Sequence, residues 1–515
     1  MKIKVRPYLY DGILFVVAVA IYAPSLRNGF VGDDLIYFIG NQYLRSFDVW
    51  TIVRSGAIGA DYLPLRDLSF ALDFLLWGEN PFGFHLMNVI LYGITVIAVK
   101  HLFVRLNALL AGPQATNGET PAFLAALVFA IHPNHREVVY AIFNRGALLT
   151  VFFSILSCLS FLSFMRGGVG RYRSYAAALF CYVLALMSRE YCIILPMVLV
   201  LLIYFSADRS KRVAHLVHTA PFFLAAVLFY AIYQDFAVSA NFITPSQGSF
   251  HAETISKMSV ATKIMLFYLV RMVTGLGAFT LDDSAGFALI ATLVIAGLLF
   301  AAFRVRRAYP HLLFGLLFYL ICLIPVLNLF KTFPIVSPRY SFLPCIGLFF
   351  TLLAVPYEGR KRLFLPLCIV LTLAWSILTI QKTYYWKNNI SFWESMTARD
   401  EHPYAYMQLG YAYYDGRQYE KAQETLRNVQ PAPWDPRYHA TVGGACFKLA
   451  DYKCAIRSFE TALSQGAGYD SVPPDLAKPN PAMGDRANAE RYFDLVDRNF
   501  PWLKEEAEKI KKGPS

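Results

Sequence analysis

The sequence predicts an all-α polytopic membrane bundle of about eleven spans followed by a small helical-repeat domain, and three observations carry that prediction. Of 515 residues, 57% are hydrophobic and only 16% charged, with a mean hydropathy of +0.43, which are the proportions of a chain whose main solvent is lipid. The basic excess, 47 Lys and Arg against 35 Asp and Glu, falls in short loops between apolar runs, a positive-inside pattern rather than a nucleic-acid surface. Beyond Lys382 the texture turns polar and a 33-residue period sets in.

Runs of about 17–25 apolar residues can cross a bilayer. They lie near 10–27, 85–105, 121–140, 145–165, 174–189, 191–206, 214–234, 286–303, 311–330, 340–356 and 363–382. The first is not a cleavable signal, because no small-x-small site follows it and the chain continues as integral membrane. With Met1–Arg6 inside, the inner loops are the Lys100–Arg105 region, Arg166–Arg173, Asp208–Arg212, Arg304–Arg307 and Glu358–Arg362, and each is basic. Segment 257–283 is apolar enough to span but carries Lys263 and Arg271; a crossing there would move Arg304–Arg307 outside. It reads instead as an outer interfacial helix with its cations at the headgroups. The eight cysteines show no C-x-x-C and no metal-ligand spacing, and Cys158, Cys181, Cys192, Cys322, Cys345 and Cys368 read as core packing.

After the last span Tyr419-x-x-Ala422 recurs as Tyr452-x-x-Ala455, and Leu409-Gly410 as Val442-Gly443, the period and small-residue pattern of tetratricopeptide helix pairs. A degenerate third repeat runs through Asp485–Lys512. Residues 1–382 are therefore expected to form the membrane domain, with an outer loop at 28–84, and 383–515 a repeat domain. An odd number of spans puts the repeats on the outer side, with Asp33-Asp34.

Five motifs gather on that outer side. Asp33-Asp34, just after the first span, offers either a general base or a helix cap in a solvated loop. Arg66-Asp67 and then His85 at the start of the second span are either site residues or interfacial anchors. His132-Pro133-Asn134-His135-Arg136-Glu137, with Asn144-Arg145-Gly146 following, sets polar groups at a membrane boundary, where they are costly unless they face a polar cavity. His132, His135 and Glu137 form no recognised zinc spacing, so they read as a hydrogen-bonded shell and a divalent metal is optional; no cofactor is required. Ser188-Arg189-Glu190 is either a structural ion pair or a site pair, and Arg339 of Ser337-Pro338-Arg339-Tyr340 either snorkels to a headgroup or captures a phosphate with its planar fork. Carboxylates for proton abstraction beside cations for a phosphate fit sugar transfer from a lipid phosphate, whose leaving-group charge grows in the transition state.

The order and wording of these motifs resemble the transmembrane and tetratricopeptide-repeat O-mannosyltransferases, within the C-type (GT-C) glycosyltransferase fold. The resemblance rests on Phe30–Asp34, Leu65–Asp67, Gly83–Asn88, Phe129–Glu137 with Asn144–Gly146, Ser188–Glu190, Leu281–Ser284 and Ser337–Pro344. It implies a base in Asp34 or Asp33, with Asp34 preferred, and donor-phosphate contacts from Arg145, Arg189 and Arg339. Arg66, His85, His132, His135, Glu137 and Glu190 would form the shell. The sequence departs from the family in having Arg189 for the usual Lys, no acidic residue after Arg145, and a short repeat array. The expected activity is inverting transfer of one hexose, mannose or another, from a polyprenyl-phosphate donor to Ser or Thr of an exported protein held by the repeats. A lipid or surface-polysaccharide acceptor, and a non-catalytic scaffold recruiting partners through the repeats, are the rival readings. The expected setting is a bacterial inner membrane facing the periplasm, with the endoplasmic reticulum lumen as the alternative.

Overall fold

The computed structural model describes residues 7–35, 41–54, 62–111, 118–206, 210–239, 250–275, 285–327, 336–354, 357–398, 403–429, 437–449 and 451–464. Among them every regular element is helical. They fall into two compact units, Met1–Thr383 and Tyr384–Ser515.

The first unit contains α1 (Pro7–Tyr22), the short α2 (Gln42–Arg45) and α3 (Val49–Arg54), α4 (Pro64–Trp77), α5 (Pro81–Ala111), α6 (Glu119–Ala130), α7 (Arg136–Tyr140), α8 (Arg145–Arg166) and α9 (Arg171–Leu186). It continues through α10 (Leu195–Phe205), α11 (Arg212–Val217), α12 (Ala220–Ser239), α13 (Phe250–Thr274), α14 (Ala285–Val305), α15 (Pro310–Leu323), α16 (Cys345–Thr351) and α17 (Tyr357–Gln381). Five segments are long and apolar enough to cross a bilayer: Pro7–Arg27, Pro81–Leu110, Ile142–Arg166, Arg212–Gln234 and Gly286–Arg304. Shorter apolar segments, Glu119–Ala130, Glu190–Phe205, Pro310–Val326 and Cys345–Ala354, lie among the other expected spans. The chain is a multi-pass membrane protein.

Three expectations change. The inner loop expected at Lys100–Arg105 is helical: α5 runs on to Ala111, and within it the fully buried Lys100 ammonium is neutralised by Asp11 of α1 at 2.8 Å and Glu119 of α6 at 3.3 Å. The span expected at 121–140 is a helix of only 12 residues. Pro133 supplies no N–H and biases His132 to the extended conformation it adopts, and the chain then proceeds through short turns, α7, and the 142–144 turn into α8. Finally, the cations of α13 face protein, not headgroups: Lys263 is buried, and Arg271 Nε donates to Asn134 Oδ1 at 3.0 Å. Tyr319 of α15 reaches the Met265 carbonyl at 2.6 Å, tying α13 into the bundle.

One seam is unusually close. Gly315 of α15 and Gly347 of α16 lie back to back, and a Cβ on either would strike the other's carbonyl oxygen.

The second unit contains α18 (Asn389–Thr397), opened by a capping box between Asn388 and Ser391, then α19 (Pro403–Asp415), α20 (Tyr419–Arg427), α21 (Arg437–Lys448) and α22 (Tyr452–Ser464). The repeat's small residues sit where paired helices touch: Gly410 faces Leu426, Gly443 faces Phe459, and Ala422 and Ala455 are buried. A Cys446–Cys454 disulfide joins α21 to α22, a feature the spacing of the cysteines does not announce. The third repeat expected at Asp485–Lys512, like Asp282-Asp283, lies outside the described residues.

Candidate functional site

The loop after α1 is tied to the turn before α8 through the Asp34 side chain, and the start of α4 is tied to the end of α9 through the backbone. Leu65 N–H donates to the Met187 carbonyl at 3.0 Å, so α4 begins against the end of α9. Gly146, in the first turn of α8, packs so closely on the second turn that an added Cβ would lie 2.5 Å from the Ser188 oxygen and 3.4 Å from Arg66 Cδ. A glycine there lets Arg66, Arg145 and Arg189 share one corner of the bundle.

The two aspartates divide sharply. Asp34 is fully buried, and both its oxygens accept backbone N–H groups: Phe143 at 2.7 Å on Oδ1 and Val31 at 3.2 Å on Oδ2. Burial pushes its carboxyl up to about 7, helped by the neighbouring charge of Asp33 and opposed by those two hydrogen bonds. Asp33 is half-buried, and its charge reaches Arg339. The sequence preferred Asp34 as the base; the structure pins that carboxylate to the turn leading into α8.

Arg145 is also committed to the protein. Only 2% exposed, it pairs with Asp73 of α4 and donates from Nε to Asn88 Oδ1 at 2.7 Å, from Nη1 to the Ser69 carbonyl at 3.2 Å and from Nη2 to the Phe84 carbonyl at 2.9 Å. Its guanidinium also lies 4.8 Å from the centre of the Phe70 ring. Arg145, expected as a phosphate ligand, makes these contacts to α4 and α5 from the first turn of α8 and so ties the three helices together. Asp73, its counter-ion, went unnoticed in the sequence, although it lies seven residues after Arg66 on the same face of α4. Arg66 is buried too, with Nε 2.8 Å from Asp67 Oδ1 and its guanidinium 4.8 Å from the centre of the Phe143 ring. His85 turns Nε2 toward the Gly29 carbonyl at 3.4 Å, holding the loop before Asp33.

A second cluster forms where α7 meets the Pro338–Ser341 turn. Glu137 Oε1 accepts from Arg339 Nη1 at 2.8 Å and from Ser337 Oγ at 2.6 Å. Arg189 and Asp33 lie within electrostatic reach of Arg339, and Glu190 Oε2 lies 3.8 Å from Arg189 Nε. Two pairs, Glu137 with Arg339 and Arg189 with Glu190, thus lie within electrostatic reach of one another and of Asp33, drawn from four separate parts of the chain.

The histidines stand behind this cluster as supports. His132 accepts from Asn134 N–H at Nδ1, 3.3 Å, and donates from Nε2 to the Met272 carbonyl of α13 at 2.9 Å. His135 meets Tyr92 OH at 2.9 Å through Nδ1 and Cys345 Sγ at 3.4 Å through Nε2. These nitrogens are engaged within the protein and Glu137 is bound to Arg339. Among the described residues the one group with metal-binding spacing is Cys446, Asp451 and Cys454, whose two thiols form the disulfide.

Fold and site together define a polytopic helical membrane protein with a charged cluster assembled at the ends of its apolar helices, followed by a unit of paired helices. Comparison with known proteins narrows this. Residues 382–462 match the family described as anaphase-promoting complex, cyclosome, subunit 3, over the helices of the repeat unit. The chain is 32% identical over 165 residues to human protein O-mannosyl-transferase TMTC4, covering 29% of this chain and 22% of that one. It is 34% identical over 156 residues to mouse TMTC1, covering 28% and 15%. It is 31% identical over 176 residues to Drosophila melanogaster Tmtc3, covering 29% and 18%. Over 28–29% of its length the chain is thus similar to the transmembrane and tetratricopeptide-repeat O-mannosyltransferases, spanning between 15% and 22% of these proteins' length. These animal relatives lend no support to a bacterial setting. The structure of ArnT from Cupriavidus metallidurans in the apo state overlays with a TM-score of 0.38 at 15% identity, covering 88% of this chain and 73% of that one, too loose a likeness to bear on chemistry.

Proposed function

We propose that this chain is a membrane glycosyltransferase that moves one hexose from a polyprenyl-phosphate carrier to a Ser or Thr hydroxyl. The observation that carries the reading is that the half-buried Asp33 carboxylate and the Arg189 guanidinium both lie within electrostatic reach of Arg339, at the ends of apolar helices. The acceptor hydroxyl is a poor nucleophile until a base takes its proton. Asp33 is that base. As the proton passes to Asp33, the hydroxyl oxygen bonds to the anomeric carbon from the face opposite the phosphate. The bond from that carbon to the phosphate oxygen breaks, its electron pair leaves with the polyprenyl phosphate, and the anomeric configuration inverts.

Arg339 and Arg189 meet the charge developing on the leaving phosphate, where fixed donors in a low-dielectric site act most strongly. Asp34 and Arg145 serve by position: the first pins the Asp33 loop to the turn before α8, the second fixes α8 against α4 and α5. The repeat unit supports a protein acceptor, since stacked helix pairs build concave binding surfaces. Reconstituted full-length chain, given polyprenyl-phosphate mannose and a Ser/Thr-rich peptide, tests the reading by mass spectrometry of the peptide. A hexose adduct that vanishes with Asp33→Asn supports it; an adduct formed equally well by that variant overturns it.

A further inference from the structure

We infer that Glu137 is a positioning residue that presents Arg339 to a phosphate monoester, an inference that rests on the glycosyl-transfer reading above. A single carboxylate oxygen, Glu137 Oε1, takes both the Arg339 Nη1 donor at 2.8 Å and the Ser337 hydroxyl at 2.6 Å. Ser337 is itself clamped from α13: its N–H donates to Tyr268 Oη at 2.9 Å, and Tyr268 O–H donates to its carbonyl at 3.0 Å. Glu137 is held on the other side, where Asn144 Nδ2 donates to its carbonyl at 3.3 Å. The segment that carries Arg339 is therefore fixed from both flanks.

The guanidinium is gripped by one edge. Its buried Nε makes no hydrogen bond to the protein, and its neighbours are a second cation, Arg189, and the Asp33 carboxylate. Glu137 and Glu190 offset the mutual repulsion of the two guanidiniums in part, and a doubly charged phosphate oxygen set suits the planar fork that Arg339 still offers through Nε. A long arginine side chain left to its own rotamers would lose entropy on meeting that anion; a guanidinium already held by Glu137 does not. The sequence order explains the pairing: Glu137 follows the Pro133 break directly, so it sits in the first turn of α7, facing the Pro338–Ser341 turn rather than lipid.

The test uses the full chain in lipid nanodiscs with two probes, a polyprenyl monophosphate and inorganic phosphate, measuring Kd for wild type, Glu137→Gln, Ser337→Ala, Arg339→Gln and the Glu137→Gln/Arg339→Gln double variant. Glu137→Gln keeps an acceptor oxygen but loses the charge. It is expected to weaken polyprenyl monophosphate by about tenfold, the scale of one charge-assisted hydrogen bond. Inorganic phosphate is expected to bind more weakly but to lose affinity by the same factor, since Arg339 touches the phosphate and not the chain. In the Arg339→Gln background Glu137→Gln should add nothing, because it acts through that arginine. Unchanged binding, a loss confined to the lipid probe, or an equal loss without Arg339 overturns the inference while leaving the glycosyl-transfer reading intact. Failure of wild type to bind the polyprenyl monophosphate overturns both. Should Glu137→Gln melt early, Ser337→Ala carries the test: it is expected to weaken binding about threefold at the wild-type melting temperature, and unchanged affinity there overturns the inference.

Discussion

Replacing Arg145 by alanine distinguishes a structural hub from a substrate ligand. In the folded protein the guanidinium is 2% exposed, paired with Asp73, and bonded to Asn88 and to the Ser69 and Phe84 carbonyls. Removing one member of a buried ion pair costs about 3–5 kcal/mol, because the partner charge is left in low dielectric. Asn88 Oδ1 also loses a charge-assisted donor, which places Arg145→Ala toward the upper end of that range. A loss of that size is a large share of the 5–15 kcal/mol that is typical of a folded protein. Asp73→Asn should fall close behind it, and the double variant should cost less than the two singles summed, because each removes the same pair. Detergent-titrated unfolding, followed by tryptophan fluorescence, reads these values. An Arg145→Ala protein with wild-type stability that has lost only phosphate binding would refute the reasoning and return Arg145 to the list of ligands.

Asp33→Asn is expected to lower turnover by about 10²–10⁴, the usual contribution of a general base. Asp34→Asn is expected to keep turnover within about tenfold while weakening loop docking by about 1–3 kcal/mol, the cost of one ill-matched buried hydrogen bond; kcat and melting measured together separate the two. Asp34 binds its proton more tightly folded than unfolded, so it adds stability that is complete below its ordinary value of 3.8 and lost as pH rises through about 7. Melting temperature should fall across that window, and Asp34→Asn should lose that component of the slope. Gly146→Ala puts a methyl 2.5 Å from the Ser188 oxygen, with an expected cost of about 1–3 kcal/mol and a weakened phosphate affinity through displacement of Arg189; binding and melting that both match wild type would remove Gly146 from the account.

Much of this was legible in the sequence because apolar runs and their basic flanks are local properties. Each expected span from 10–27 to 363–382 coincides at least in part with a helix, and the repeat helices begin at Tyr419 and Tyr452 as the period requires. What the sequence could not express was pairing across distance. Asp33 and Asp34 are chemically identical until Phe143, 109 residues away, offers its N–H to one of them. Arg145 looked like Arg339, both arginines at a helix end, until Asp73 claimed the first and Glu137 the second. The cations of α13 suggested headgroups because an isolated amphipathic helix has nowhere else to put them; Asn134 supplied the alternative for Arg271.

The glycine seam between α15 and α16 has a consequence for reading variants of this protein. Arg339 stands eight residues before Gly347, and that glycine fixes where α16 meets its neighbour. Any side chain at Gly315 or Gly347 would wedge the two backbones apart and carry the Pro338–Ser341 turn with them. A missense allele at Gly315, on a helix that supplies none of the charged residues, would therefore resemble a lesion in the arginine itself. It would be catalogued as a change of one small residue for another in a greasy segment, and its severity would be underestimated.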